Sequence, residues 1–423
     1  MDDLGYQDVG CYWTPSQEEG FEKIETPHID RLAAEGARFT SFLVADSICT
    51  PSRAALLTGC YPARVGMSFP PDHHGVLRAQ TTEGLNPDEI TVAELLNERG
   101  YATLCVGKWH LGNRLDFLLT QQGFDEAYGP ASRGKNKPVQ LLRGEEPAEI
   151  VEHEEITAVY TREAIRFIED HRDEPFFVFL SHGMPHVPLG VRDSFRGRSA
   201  RGLYGDVVME LDWSTGEILA ALSRLELDDE TLVIFTSDND PALALGPEGG
   251  KAFPLRRGKS TAYEGGFRVP FLARWPGKIP AGLEVGELVT ALDLLPTFCG
   301  LAGTRPPADR TIDGHDAWNL FVGTEAARSP YEMFAYYRRA RLEALRSGPW
   351  KLHFDASGEP AALFNLEEDV SESADRSAQR PEVVARLAVL AEPVREDLGD
   401  VSRRMRGRGT RPLGHSESPS VKQ

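Results

Sequence analysis

Short apolar runs rich in β-branched and aromatic residues punctuate the chain at Tyr101 to Val106, Pro175 to Ser181, Thr231 to Ser237 and Val269 to Trp275, and each ends in a polar or glycine-rich turn. Runs of that length bounded by turn residues predict buried strands. Between them, apolar residues recur at three-to-four spacing over His28 to Ala37, Thr91 to Arg99, Ile156 to His171 and Leu203 to Leu225, the period of amphipathic helices. This alternation predicts an α/β fold, a mostly parallel central sheet flanked by helices on both faces. Ligands of such sheets sit beyond the carboxyl ends of the strands. Three polar clusters, Gly107-Lys108-Trp109-His110, His182 to His186 and Asp238-Asn239, follow directly on predicted strands, so they are expected to converge on one site.

From about Ser329 the pattern changes. Tyr331 to Arg338, Leu345 to Asp355 and Ala362 to Leu366 read as short strands and Pro381 to Leu398 as an amphipathic helix. The larger domain is therefore expected over residues 1–328, followed by a smaller C-terminal α+β domain, an antiparallel sheet plus helix, over 329–400. The stretch from Val401 to Gln423 carries Arg403, Arg404, Arg406, Arg408, Arg411 and Lys422 against Glu417 alone, among Gly, Pro and Ser; it is expected to be a disordered basic tail. Every apolar stretch stops short of the ~18 residues of a membrane helix, so no span is predicted.

Charge narrows the partners. The 46 Lys and Arg against 65 Asp and Glu leave a net charge of -19, which repels nucleic acid and anionic lipid; no nucleic-acid partner is expected, and an anionic substrate would need a metal or clustered cations. Cys11, Cys49, Cys60, Cys105 and Cys299 are odd in number and lack zinc-type spacing, which argues against a disulfide framework or a zinc module. Met1 to Tyr6 shows no basic region followed by an apolar stretch. The compartment stays open: periplasmic or secreted if a signal peptide lies upstream, cytoplasmic otherwise.

The most specific segment is Cys49-Thr50-Pro51-Ser52-Arg53-Ala54-Ala55-Leu56-Leu57-Thr58-Gly59. Pro51 fits an early helical position, which puts Cys49 where free N–H groups and the helix dipole favour an anion. Arg53, one turn on, can return a guanidinium to the same spot. A bare Cys-x-Pro-x-Arg reads equally well as a buried cysteine before a helix, and three intervening residues suit a phosphatase loop poorly. The whole segment, however, resembles the signature of type I sulfatases, whose cysteine is oxidised to formylglycine. The resemblance continues in the family's order through Asp2-Asp3-Leu4-Gly5-Tyr6, Gly107-Lys108-Trp109-His110-Leu111-Gly112, Met184-Pro185-His186-Val187-Pro188, Thr236-Ser237-Asp238-Asn239 and Gly258 to Gly266, then Arg274-Trp275-Pro276-Gly277 and Leu363-Phe364-Asn365-Leu366.

Taken alone, Asp2 and Asp3 read as a solvated acidic terminus and Asp238-Asn239 as turn chemistry. Together they offer three carboxylates and an amide oxygen, a hard set suited to Ca2+ or Mg2+. The resemblance implies one divalent cation, commonly Ca2+, held by Asp2, Asp3, Asp238 and Asn239 with the modified Cys49. It also lifts Lys108, His110, His186 and Lys259 above surface residues. A sulfate ester needs positive charge on its oxygens, an acid for the departing oxygen and a base for the second step; Arg53, Lys108 and Lys259 can supply charge, and His186 and His110 can move protons. His182 is expected to line the pocket, Glu264 to anchor the loop carrying Lys259, and His73, His74 and His153 to occupy surface loops.

What the resemblance implies is an alkaline-phosphatase-like, formylglycine-dependent sulfatase that hydrolyses an aryl or carbohydrate sulfate monoester in two steps. Its partners would be a sulfated small molecule or glycan and a formylglycine-generating enzyme or equivalent maturase. The rivals are a phosphonate or phosphate ester hydrolase of the same superfamily and an inactive protein that binds sulfated ligands. The sequence departs from the family twice. An apolar strand normally precedes the Asp pair, where here stands Met1 alone, so a strand is expected upstream: ligands at a free terminus would fray beside an ammonium that opposes a cation. Asp240-Pro241 replaces a glycine after Asn239, adding a carboxylate and stiffening the turn.

Overall fold

The computed structural model describes residues 1–16, 22–78, 81–130 and 138–420. The first part of the chain forms α1 (Pro27–Ala34), β1 (Ala37–Phe39), β2 (Phe42–Leu43), α2 (Cys49–Thr58), β3 (Glu83–Gly84), α3 (Val92–Asn97) and β4 (Ala102–Gly107). Next come β5 (Glu126–Pro130), β6 (Val139–Arg143), β7 (Glu146–Val151), α4 (Ile156–Asp170), β8 (Phe176–Ser181), α5 (Gly202–Arg224) and β9 (Val233–Thr236). They are followed by α6 (Glu264–Phe267), β10 (Phe271–Arg274), β11 (Leu283–Val285), β12 (Val289–Thr290), α7 (Leu294–Leu301) and α8 (Trp318–Phe321). The C-terminal part holds β13 (Phe334–Arg338), β14 (Arg341–Ser347), β15 (Trp350–Phe354), β16 (Pro360–Asn365), α9 (Pro381–Leu398) and β17 (Gly414–His415).

The fold is α/β. One sheet runs in the order β7-β6-β5-β4-β8, with β4 parallel to both neighbours and an antiparallel hairpin added at the β5 edge. A second runs β11-β1-β10-β9, parallel between β1 and β11 and antiparallel elsewhere. Alternate residues of β4 and β8 serve two different layers. Leu104, Val106, Val178 and Leu180 pack on Val159 and Phe167 of α4, while Cys105, Phe177 and Phe179 face α2, α3 and α7. Apolar packing against both faces explains why these strands are continuous apolar runs in the sequence. α1 ends earlier than its period suggests: Gly36 lies so close to Ala273 that a Cβ would fall 2.2 Å from its carbonyl oxygen, and the chain turns there into β1.

β13 to β16 form an antiparallel meander crossed by α9. Its inner face, including Phe334, Tyr336 and Leu352, shares one apolar cluster with Phe39, Phe267 and Phe271 of the larger part. Leu345 to Asp355 is not one strand, because Gly348, at φ 57, and Pro349 turn the chain between β14 and β15.

The expectation of a disordered tail is corrected over residues 401–420. β17 pairs antiparallel with β3, Arg411 bonds Glu89 at 2.7 Å, Arg403 reaches Glu359 at 3.0 Å, and Arg64 donates to the Gly409 carbonyl. Composition alone suggested disorder, but an acidic body supplies carboxylates that hold these arginines. The rest of the expected tail, 421–423, lies outside the described residues. Among the described residues no helix is long and apolar enough to cross a membrane.

Candidate active site

α2 delivers the central residue. Ile48 is extended at φ -137, Cys49 opens the helix, and Gly59 at φ 65 closes it with a left-handed cap. Small side chains, Ala54 and Ala55, let this helix lie buried at every position but Leu56. Cys49 Sγ sits 3.5 Å from Asp2 Oδ1 and 3.2 Å from Lys259 Nζ. Burial pushes its thiol pKa up to about 12. Arg53 is aimed back along the helix: its Nε donates to Asp238 Oδ2 at 2.9 Å and a terminal nitrogen to the Lys108 carbonyl at 3.0 Å.

The strand ends bring the partners. Gly107 leaves β4 at φ 102, where a Cβ would meet the Ser181 carbonyl at 2.1 Å. That close approach lets Lys108 turn to Asp2, Nζ to Oδ2 2.6 Å. His110 sits at φ 65; Thr50 Oγ1 donates to its carbonyl at 3.1 Å, and its Nε2 lies 3.1 Å from Leu77 O. Beyond β8, His186 Nδ1 lies 2.7 Å from the Val187 carbonyl, which calls for a proton on Nδ1 and leaves Nε2 facing Asp3 Oδ2 at 3.6 Å. Beyond β9, Asp238 Oδ1 accepts from the Asp3 N–H at 3.2 Å and Asn239 Nδ2 donates to Asp3 Oδ1 at 2.8 Å. Lys259 is fixed by its own N–H to Pro241 O at 2.9 Å and reaches Asp3 Oδ1 at 2.5 Å.

Asp2, Asp3, Cys49, Arg53, Lys108, His186, Asp238, Asn239 and Lys259 are thus brought together, and His110 stands beside them against the start of α2. One placement differs from expectation. His182 turns away from Cys49: its Nε2 lies 3.0 Å from Ser214 Oγ, and burial lowers its pKa to about 3. Asp240 is buried, but its Oδ1 accepts from the Tyr6 N–H at 2.8 Å, and burial raises its carboxyl well above the usual range. Ser181, whose hydroxyl accepts from Arg53 and donates to the Lys108 carbonyl at 2.6 Å, was read only as the end of a strand.

Three buried carboxylates against Arg53, Lys108 and Lys259 form a balanced cluster. Ligand atoms of Asp2, Asp3, Cys49 and Asp238 lie within 4.8 Å of one another. Asn239 Oδ1 is buried with no hydrogen-bond partner in the protein, an arrangement that costs about 1–3 kcal/mol when left unmade. An orphaned amide oxygen beside converging carboxylates fits a hard divalent cation.

A cluster that can bind a divalent cation, surrounded by fixed positive groups at the carboxyl ends of the strands, defines a hydrolase for an anionic tetrahedral ester. The sulfatase family model matches residues 1–304, and that of the N-sulphoglucosamine sulphohydrolase C-terminal region matches 257–393. The chain belongs to the sulfatase family and is a sulfuric ester hydrolase. It is 39% identical over 376 residues to dog N-acetylgalactosamine-6-sulfatase, covering 84% of this chain and 70% of the relative. To human arylsulfatase A it is 38% identical over 420 residues, covering 92% and 80%. The crystal structure of Ps i-CgsB in complex with k-i-k-neocarrahexaose superposes with a TM-score of 0.83 at 30% identity, covering 96% of this chain and 93% of that one.

Proposed function

We propose that this sulfatase hydrolyses a carbohydrate sulfate monoester with a formylglycine made from Cys49 by a maturase, and with a divalent cation, Ca2+ in the first instance, held by Asp2, Asp3, Asp238, Asn239 and residue 49. The observation that carries this reading is the position of Cys49, at the opening of a buried helix and in contact with Asp2 and Lys259. The cation would supply Lewis-acid polarisation of a sulfate oxygen, and formylglycine a hydroxyl nucleophile. The remaining work falls to the chain's own side chains. Arg53, locked by Asp238 and the Lys108 carbonyl, and Lys108 and Lys259, each paired to a carboxylate, hold positive charge where the sulfate oxygens gather negative charge. His186, with Nδ1 engaged and Nε2 toward the site, is placed to give a proton to the departing sugar oxygen. His110, anchored at the start of α2, is the base of the second step.

A carbohydrate is favoured over a simple aryl ester by the relatives, one of which is an N-acetylgalactosamine-6-sulfatase and another of which was solved with a neocarrahexaose. Release of sulfate from a panel of sulfated mono- and oligosaccharides, an aryl sulfate, an aryl phosphate and a phosphonate monoester tests the assignment. A sulfated saccharide is expected to give the highest kcat/KM. Turnover confined to the phosphate or phosphonate esters would overturn it.

A further inference from the structure

The hairpin between β13 and β14 reaches the wall of the site. Arg338 pairs with Arg341 across it, so Arg339 and Ala340 form a two-residue turn, and both are left-handed, at φ 53 and φ 58. Such turns favour Asn and Gly; arginine and alanine hold this one at a cost in backbone strain. The tip lies against the loop that follows α2: the Ala340 N–H donates to Ser68 Oγ at 3.0 Å, and Arg339 Nη2 donates to the His73 carbonyl. Gly75, at φ 80, is a thin spacer between the tip and the start of α2, since a Cβ there would lie 3.6 Å from Ile48 Cδ1 and 4.0 Å from Arg339 Nε. Two residues on, the Leu77 N–H donates to Thr50 Oγ1 at 3.3 Å, and the Leu77 carbonyl lies 3.1 Å from His110 Nε2. The loop therefore carries Arg339 on one side and Ile48, which precedes Cys49, on the other, with His110 at its end.

The charge at this tip is not used up by the fold. Arg338 is closed by Glu343, Nε to Oε2 2.9 Å, and Arg53, Lys108 and Lys259 are each matched by a carboxylate. Among the described residues Arg339 meets no carboxylate and donates to the His73 carbonyl alone. Its Nε is buried without a partner, which is costly for a polar group. Arg339 is half-buried, so its guanidinium keeps unused N–H donors beside the site, in a planar fork that matches a carboxylate or a tetrahedral oxyanion. Backbone strain and an unmade hydrogen bond at one position are the marks of a residue retained for a ligand.

We propose that Arg339 is a specificity-determining residue that binds a second anionic group of the substrate, a carboxylate or a further sulfate, carried beside the ester that is cleaved. Arg53, Lys108 and Lys259 hold the sulfate that reacts; Arg339 adds binding energy for esters with two negative groups, which a net charge of -19 otherwise repels. The proposal deepens the saccharide reading and rests on it for the identity of the carrier, while the guanidinium reads the same group on an aryl ester.

The test measures kcat/KM of the wild type, Arg339→Ala and Arg339→Lys on matched esters: a monosulfated disaccharide against its counterparts with a uronic acid or a second sulfate, and an aryl sulfate against its carboxylated analogue. The wild type is expected to prefer the dianionic ester, and Arg339→Ala to reduce that preference at least ~tenfold, mainly through KM. Arg339→Lys, which keeps the charge and loses the fork, should recover part of it. The uronic acid and disulfated arms tell which anion is read. If Arg339→Ala does not fold, Arg339→Gln, which keeps a donor for the His73 carbonyl, carries the same expectation. An equal loss on both members of every pair, the result of a purely structural role in the His73 loop, or a wild type with no preference for a second anion in either series, would overturn the proposal. Turnover of aryl esters alone would overturn the saccharide reading instead, because the ratio within the aryl pair still reports on Arg339.

Discussion

Asp238 joins several parts of the site. Its carboxylate binds Arg53, its Oδ1 receives the Asp3 N–H, and its ligand oxygen converges with those of Asp2 and Asp3. On the proposed reading, Asp238→Ala removes a cation ligand, and it leaves the buried Arg53 guanidinium with only the more distant Asp2 carboxylate, at 3.8 Å, as counter-charge. It should weaken divalent-cation binding, read by calorimetry, and lower kcat/KM at least ~100-fold. Wild-type activity that survives full chelation would remove the cation from the account. The residues of this cluster were legible because they sit in contiguous motifs at strand ends, where a polar run after an apolar one announces a site. His182 was misplaced because a side chain's direction just past a strand depends on the local backbone, which spacing does not report. Ser181 left no mark, since one serine closing a strand carries no pattern.

α6 shows how an element distant in sequence from the cysteine, packed against Ser47 just before it, holds part of the site. Glu264 accepts from Tyr336 at 2.7 Å, Arg268 at 2.8 Å and Lys351 at 2.9 Å, all buried. Its own N–H donates to Glu372 at 2.6 Å, and Glu372 meets Lys351 at 3.1 Å. Burial alone would raise the Glu264 carboxyl, but the Lys351 and Arg268 charges overcome it and hold the group well below its ordinary value. A depressed acid stabilises the fold above its unfolded pKa of ~4.3, and that contribution is lost as pH falls through the depressed folded value. Because α6 directly follows the loop carrying Lys259, Lys351→Met should cost about 3–5 kcal/mol of stability, seen as a lower Tm, and should reduce kcat as well. An unchanged Tm would show that the network contributes nothing net. The expectation that Glu264 anchors this loop came from sequence; its partners on β13 and β15 could not, since they lie 72 and 87 positions away. The same distance problem hid the split of Leu345 to Asp355, where the Gly348-Pro349 signal was present and the apolar run overrode it.

Across the whole molecule, charge is unevenly used. A body at -19 repels an anionic sulfate ester at long range, so the attraction must come from positive groups such as Arg53, Lys108 and Lys259 acting at short range in a buried site. Arg403 and Arg411 are instead taken up by body carboxylates and carbonyls, which helps hold down a segment that reads as disordered by composition. The alternation of strands and helices was legible because both faces of β4 and β8 pack against apolar layers, while the pairing of β17 with β3 across the chain was not, being only two residues long. The account depends most on the state of residue 49. Mass analysis of the peptide spanning Cys49, taken from enzyme that releases sulfate, is expected to show an aldehyde at that position, with Cys49→Ala inactive. A sample that turns over fully while residue 49 remains entirely thiol would contradict it.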